Sequence, residues 1–507
     1  MHTTPPLLQT RHMKSWDLTP RQLCDLEMLL SGAFAPLHNF MKAADYHSVC
    51  SQRRLPDGQY WAVPVLLDVS PVFAKHLSIG ETIALRDVEG VLLAVFTVEG
   101  QFLATPPDSH ANDAVCLEGY LQGIALPKHH HVELEHQTPA QIQAFFHKQG
   151  CHTVIGLLPQ QVIHRRQWES ACAYAQTLQA GILIQPAVGL AHPENPAHFT
   201  RLRCYRHVLQ RCSPVPVQLN LLNHASREDD LQESLLRASI LRNFGVTHLL
   251  VTPAQADRLK PHIAAVGLNL LVEPATPAEE IPLRAYRDVE LSHHLHQGLP
   301  VPAGFSYPEV LAELQRSYPP RHRQGFVVFF TGLSGSGKST LANALLLRLM
   351  AMGGRSVTLL DGDVVRKHLS SELNFSKEHR DINVRRIGFV ASEIAKSGGI
   401  AICAPIAPYT LVRREVRQLV SDKGGFVEVH VATPLSECEK RDTKGLYAKA
   451  RAGILKGFTG IDDPYEIPEN PEVCIDTSHR NPAECVNQIL QCLMNMGYLP
   501  STIELSA

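Results

Sequence analysis

The chain has 507 residues, of which 44% are hydrophobic and 19% charged, with a formal net charge of −2. A chain of this length outgrows a single core, so about three or four domains are expected. Its near-balanced charge gives no electrostatic case for nucleic acid or an anionic membrane as a partner. No apolar run reaches the roughly 18 residues that span a bilayer, and the opening Met-His-Thr-Thr-Pro-Pro lacks the basic-then-apolar layout of a signal peptide, which points to a cytoplasmic protein. In the first third, residues 83–86 and 91–98 alternate as half-buried strands do, with short turns between. His129, His130 and His131 are consecutive; three such side chains cannot converge on one ion from a regular element, so a solvated loop is expected there. The twelve cysteines are scattered without a C-x-x-C pair, and neither a zinc knuckle nor a disulfide framework is expected.

Leu18-Thr19-Pro20-Arg21-Gln22-Leu23, Gly32-Ala33-Phe34-Ala35-Pro36-Leu37, Leu126-Pro127-Lys128-His129, Pro186-Ala187-Val188-Gly189-Leu190 and Phe199-Thr200-Arg201-Leu202-Arg203 follow one another in that order. Together they resemble ATP sulfurylase (sulfate adenylyltransferase), with gaps, to about residue 318. The resemblance implies a β-rich, PUA-like domain over 1–140, an α/β nucleotidyltransferase domain over 141–255, and a short linker region over 256–324. The family's site motifs are altered, however. Where ATP sulfurylases read Gln-Thr-Arg-Asn-Pro-x-His-x-x-His, this chain reads Leu158-Pro159-Gln160-Gln161-Val162-Ile163-His164-Arg165-Arg166-Gln167. His164 is kept, but Gln160 stands for the arginine that would meet sulfate and Gln167 for the second histidine. The Gly-Arg-Asp-His segment falls on Thr252-Pro253-Ala254-Gln255, while Arg227 does match a family arginine. Sulfate attacking an α-phosphate brings anions together and needs several preorganised donors, each worth on the order of 10²–10³ in rate. Losing three or more predicts an inactive site. Arg165 and Arg166 read as a basic helix face.

Residues 299–304 and 318–325 are rich in proline and glycine and bracket a helix predicted at Pro308–Ser317, which marks a junction. Beyond it, the apolar run Phe326–Thr331 leads into Gly332-Leu333-Ser334-Gly335-Ser336-Gly337-Lys338-Ser339-Thr340, a complete G-x-x-x-x-G-K-[ST] phosphate-binding loop, and a helix-forming run follows. The glycines let backbone N–H groups turn toward phosphate oxygens, and the helix adds its positive N-terminal end. Lys338 is expected to reach the β- and γ-phosphates of ATP and Ser339 to hold Mg²⁺; Gly332, Ser334, Gly335, Ser336, Gly337 and Thr340 complete the nucleotide contacts. A strand ending in Asp361-Gly362-Asp363 and later apolar runs at 399–405, 426–433 and 472–477 alternate with helical stretches. That pattern predicts a parallel sheet covered on both faces, with ligands beyond the carboxyl ends of its strands. One carboxylate, Asp361, can orient the metal, and the other, Asp363, can accept a proton from an attacking hydroxyl.

Asp361-Gly362-Asp363-Val364-Val365-Arg366, Asn374-Phe375-Ser376, His379-Arg380-Asp381-Ile382-Asn383, Ala404-Pro405-Ile406-Ala407-Pro408-Tyr409, Lys444-Gly445-Leu446-Tyr447 and Lys456-Gly457-Phe458-Thr459-Gly460-Ile461-Asp462 resemble adenylylsulfate (APS) kinase, in that family's order. The resemblance implies a P-loop kinase domain over 325–507 that phosphorylates the 3′-hydroxyl of APS with ATP, giving PAPS. By position, Asp363 and Lys338 match catalytic residues and Arg441 an arginine near the ATP adenine. Arg366, Arg380 and Asn383 match residues that hold the acceptor, with Ile406 and Lys444 in flanking motifs, and Phe375 and Phe458 match the aromatics that sandwich its adenine. Residues 444–462 read as a lid. Ala407 stands where many members carry serine. The chain is thus expected to be an α/β multidomain protein, homo-oligomeric as both families usually are, that acts on ATP and APS. The alternatives are a bifunctional enzyme making PAPS from sulfate, or a non-catalytic APS- or PAPS-binding regulator.

Overall fold

The computed structural model describes residues 13–104, 114–128, 136–188, 196–212, 214–225, 231–274, 288–374 and 376–500. The chain divides into two compact units, one formed by 1–292 and 301–317, the other by 293–300 and 318–507.

The first unit holds two sheets. Strands β1 (Ser15–Asp17), β2 (Leu67–Val69), β3 (Thr82–Arg86), β4 (Leu92–Ala104) and β5 (Ala114–Gly123) form a sheet in the order β1-β3-β4-β5-β2. It is antiparallel apart from the β1–β3 pair. The helix Pro20–Ser31 begins with proline at its first position, and the side chains of Thr19 and Gln22 cap each other's backbone N–H. Strands β6 (Val154–Leu157), β7 (Gly181–Ile184), β8 (Val217–Leu219), β9 (His248–Val251) and β10 (Asn269–Val272) form a wholly parallel sheet in the order β10-β9-β6-β7-β8. Every residue of β6 and β7 is buried, as a sheet covered on both faces requires. Its fifth strand lies past the boundary expected at 255, because residues 269–272 find their backbone partners on β9.

The expectation of unpaired thiols fails at one position. Cys172 and Cys212, 40 residues apart, form a disulfide with Cα atoms 5.8 Å apart. The two cysteines lie in and just beyond different helices, a juxtaposition that their spacing does not encode.

In the second unit, β11 (Phe326–Thr331), β12 (Val357–Asp361), β13 (Ile400–Ala404), β14 (Gly425–Val431) and β15 (Val473–Ile475) form a parallel sheet in the order β12-β13-β11-β14-β15. The central strand alternates its payload by the two-residue period of a strand. Phe326, Val328 and Phe330 pack with Leu341, Leu345 and Ile489 on one face; Val327 and Phe329 pack with Ile387, Val412 and Val416 on the other. The predicted helix Pro308–Ser317 forms with the expected ends, on the first unit's side of the junction. Among the described residues, no helix is long and apolar enough to cross a membrane.

Candidate functional sites

The carboxyl ends of the third sheet converge on the phosphate loop. After β11 the chain turns through Gly335 and Gly337, at φ 70° and 102°, in the left-handed region that glycine enters at little cost, and enters the helix Lys338–Met352. The loop is braced from β14 and β15: Thr433 Oγ1 and Thr477 Oγ1 both donate to Ser336 O, at 3.0 and 2.9 Å. Lys338 Nζ donates to Gly332 O and Leu333 O at 2.9 and 2.7 Å, so its ammonium lies across the loop. Ser339 Oγ donates to Asp361 Oδ2 at 3.1 Å, which brings together a hydroxyl and a carboxylate oxygen, the donors a hard divalent cation takes. Arg441 reaches the same region by donating to Thr477 Oγ1 and Thr477 O at 2.8 and 2.9 Å. The Ile406 carbonyl accepts from Thr331 Oγ1 at 2.7 Å and from Gly332 N at 3.3 Å.

The expected acceptor residues form a second group. Arg380 and Asn383 lie on the helix Lys377–Lys396, which Ser376 caps by accepting from His379 N. Arg380 Nη1 donates to Thr459 Oγ1 at 2.7 Å and Nη2 to the Tyr409 oxygen at 3.0 Å, and its guanidinium pairs with Asp463 at 3.0 Å. Three buried polar atoms on this helix, Arg380 Nε, Asp381 Oδ1 and Asn383 Oδ1, have no hydrogen-bond partner among the described residues. Each such group typically costs about 1–3 kcal/mol, so together they mark a surface that a polar ligand would satisfy. Burial also raises the Asp381 carboxyl above the usual range, against the pull of Arg385 and Lys377. Arg366 is held by the carbonyls of Leu373 and Asn374 at 3.2 and 3.0 Å. Asp363 lies in the helix Gly362–His368 that follows β12; its side chain is outside the described ones, and Phe375, Arg227 and His129 to His131 lie outside the described residues.

The stretch expected to be a lid contains the helix Leu446–Arg451, just after Lys444, and a compact strap over 457–463. Asp462 closes the strap by accepting from Gly457 N and Phe458 N, both at 2.6 Å, and these backbone donors hold its carboxyl below the usual range. The Phe458 ring meets Tyr447 edge-on, with centroids 5.0 Å apart, and Tyr447 in turn donates to Ser334 O of the phosphate loop at 2.8 Å. Gly460, at φ 93°, approaches the same loop so closely that a Cβ there would lie 2.9 Å from Leu333. Ala407 adopts φ 45°, its carbonyl held by Thr331 and by the buried Arg413 at 3.1 and 2.8 Å.

Sequence reasoning gave no role to Thr331, Thr433, Thr477 or Asp463, and held Tyr409 and Tyr447 only as parts of the quoted motifs. The three threonines were open to discovery, since each ends or directly follows a predicted strand, where ligands and loop braces collect.

The first unit has its own cleft, a cavity of about 850 Å³ whose lining includes Gln160, His164, Arg237, Thr252, Gln255 and Glu273. It opens at the carboxyl ends of β6 and β9, neighbouring strands from which the chain order runs in opposite directions, a topological switch point. The altered motif residues serve structural roles there. Gln255 caps the helix Pro253–Leu259 reciprocally with Thr252, Gln167 donates to Glu273 at 2.8 Å, and Arg165 pairs with Glu169 on its own helix at 2.7 Å. His164 packs tilted against Phe305, centroids 4.3 Å apart, and neither ring nitrogen has a partner among the described residues. Burial lowers its pKa to about 4, so the imidazole is neutral at physiological pH and lends no positive charge to the cleft.

Comparison with known proteins matches three family profiles to the chain: PUA-like domain over 5–112, ATP-sulfurylase over 135–261 and adenylylsulphate kinase over 324–476. Sulfate adenylyltransferase of Phaeosphaeria nodorum is 37% identical, and that of Chaetomium globosum 38%, each alignment covering 95% of this chain and 93% of the relative. Among solved structures, the hexameric APS kinase from Thiobacillus denitrificans superposes with a TM-score of 0.78 at 42% identity, over 97% of this chain and 94% of that one.

Proposed function

Because the chain belongs to the family that joins a PUA-like and ATP-sulfurylase region to an adenylylsulfate kinase domain, we propose that it transfers the γ-phosphate of ATP to the 3′-hydroxyl of APS, and that its N-terminal cleft makes no APS. The observation that carries this reading is the pairing of Ser339 with Asp361 beside Lys338, within a loop whose backbone is braced on both sides. Lys338 exchanges its two loop carbonyls for β- and γ-phosphate oxygens. Ser339 and Asp361 would hold Mg²⁺, which offsets phosphate charge. Asp363 takes the proton of the 3′-hydroxyl as the O–Pγ bond forms and the bond from Pγ to the β-phosphate bridging oxygen breaks, releasing ADP. Arg380, through Nε, and Arg366 offer guanidinium N–H donors to the phosphosulfate, and Phe458 offers a face to the adenine. The full-length chain with ATP, Mg²⁺ and APS is expected to form PAPS and ADP in equal amounts; absence of turnover would sink this reading.

A bifunctional enzyme is the second reading, and the names of the curated relatives favour it. Against it stand the structural engagement of Gln167 and Gln255 and a His164 that burial keeps neutral; its unpartnered ring nitrogens, facing a cleft, speak for the second reading. With ATP, Mg²⁺, sulfate and pyrophosphatase, phosphate release is expected to stay at background. Sulfate-dependent release abolished by His164→Ala would establish the bifunctional enzyme instead.

Thr477 connects the donor site to Arg441. Removing its hydroxyl in Thr477→Val takes away the bonds to Ser336 O and Arg441, each worth about 1 kcal/mol net. The expected result is a KM for ATP raised about 5–10-fold, with the KM for APS little changed in steady-state assays. We also infer a homo-oligomer, on the strength of the hexameric relative; light scattering on the purified protein tests it.

A further inference from the structure

We propose that Asp463 is a positioning residue for the acceptor site, setting the Arg380 guanidinium through a closed ring of Arg380, Tyr409 and Asp463. This rests on the kinase reading above. The three side chains come from three separate segments: the helix Lys377–Lys396, the residue preceding the helix Thr410–Ser421, and the strap. Arg380 Nη2 donates to the Tyr409 oxygen at 3.0 Å, the Tyr409 hydroxyl donates to both Asp463 oxygens at 3.0 and 2.8 Å, and Arg380 pairs with Asp463 at 3.0 Å. Each corner therefore fixes the other two. The side chains of Arg380 and Asp463 are only 13% and 18% exposed, so the ion pair is shielded from the screening that weakens surface pairs. Burial, with the bond to Asp463, pushes the Tyr409 phenol up to about 12, so it stays a protonated donor throughout the working pH range.

This ring does more than fasten the strap. Asp462 already closes the strap through backbone bonds that do not involve Arg380, and Glu466 ties the chain beyond it to Thr410 N and, through its own N–H, to Pro408 O. Asp463 instead spends its side-chain oxygens on Tyr409 and on the arginine itself. Thr459 holds Nη1, and Nε alone lacks a partner among the described residues. With both Nη atoms held, Nε–H is the donor left pointing in one fixed direction, toward an anionic group of the acceptor.

Asp462 and Asp463 are adjacent carboxylates with different partners, so the pair separates positioning from strap integrity. In the full-length protein, Asp463→Asn is expected to raise the KM for APS about tenfold or more, with the KM for ATP within about twofold of wild type. Tyr409→Phe is expected to give the same split at smaller amplitude. Asp462→Asn, which loosens the whole strap against both Arg380 and Leu333, is expected to raise both KM values together. Calorimetric titration with APS gives the same comparison without turnover. If Asp463→Asn leaves the APS parameters unchanged, or moves both substrates equally as Asp462→Asn does, the proposal falls and Asp463 is a structural tie. A wild-type chain that binds APS without turning it over would fail the kinase reading while the titration still decides the role of Asp463. One that neither binds nor phosphorylates APS would overturn both.

Discussion

Lys338→Met is expected to lower the rate of PAPS formation by about 10²–10³-fold while the protein stays folded. The ammonium rests on two loop carbonyls, Gly332 O and Leu333 O, and on the proposed reading it moves only to the phosphates bound by that loop. Phosphoryl transfer spreads charge over the equatorial oxygens, and a cation fixed beside them acts mainly in the transition state. Methionine keeps the stem's bulk in the largely buried slot that Lys338 occupies at 7% exposure but leaves the two carbonyls without that donor. A fall in kcat larger than the rise in the KM for ATP is the expected signature; unaltered turnover would remove Lys338 from the chemistry.

Asp363→Asn is expected to cost at least about 10² in kcat with ATP binding preserved. The residue sits at the second position of the helix that follows β12, two residues beyond Asp361. Backbone placement thus puts it just past Asp361, which bonds to Ser339. Asparagine retains size and polarity but cannot accept the 3′-hydroxyl proton. Single-turnover measurements with saturating ATP separate this loss of base from a loss of nucleotide binding, and near-normal turnover would exclude Asp363 as the base.

The donor site was legible in the sequence because its parts are local. A strand, a glycine-rich loop and a helix lie within 27 residues, from Phe326 through Met352, and their periodicities and dihedral demands are written in adjacent positions. The helix Pro308–Ser317 was readable for the same reason. What escaped is long-range. Arg380 meets Thr459 across 79 residues, Tyr409 meets Asp463 across 54, and Thr477 reaches Ser336 across 141. No local pattern marks such pairs, since each depends on the order in which parallel strands assemble. Strand β10 and the Cys172–Cys212 bond escaped on the same ground: Leu270-Leu271-Val272 is an apolar run too short to read as strand rather than helix until it pairs with β9, and two unremarkable cysteines pair only once their segments pack.

The reciprocal cap between Thr252 and Gln255 bears on how such a protein can change over time. The glutamine at the third helical position accepts from Thr252 N and so completes the helix start that Thr252 caps, while Gln167 is committed to Glu273. A histidine at either place would break a bond that the fold now uses, so each single substitution is expected to lower the melting temperature. The residues at these two motif positions are thus part of what holds the N-terminal fold together.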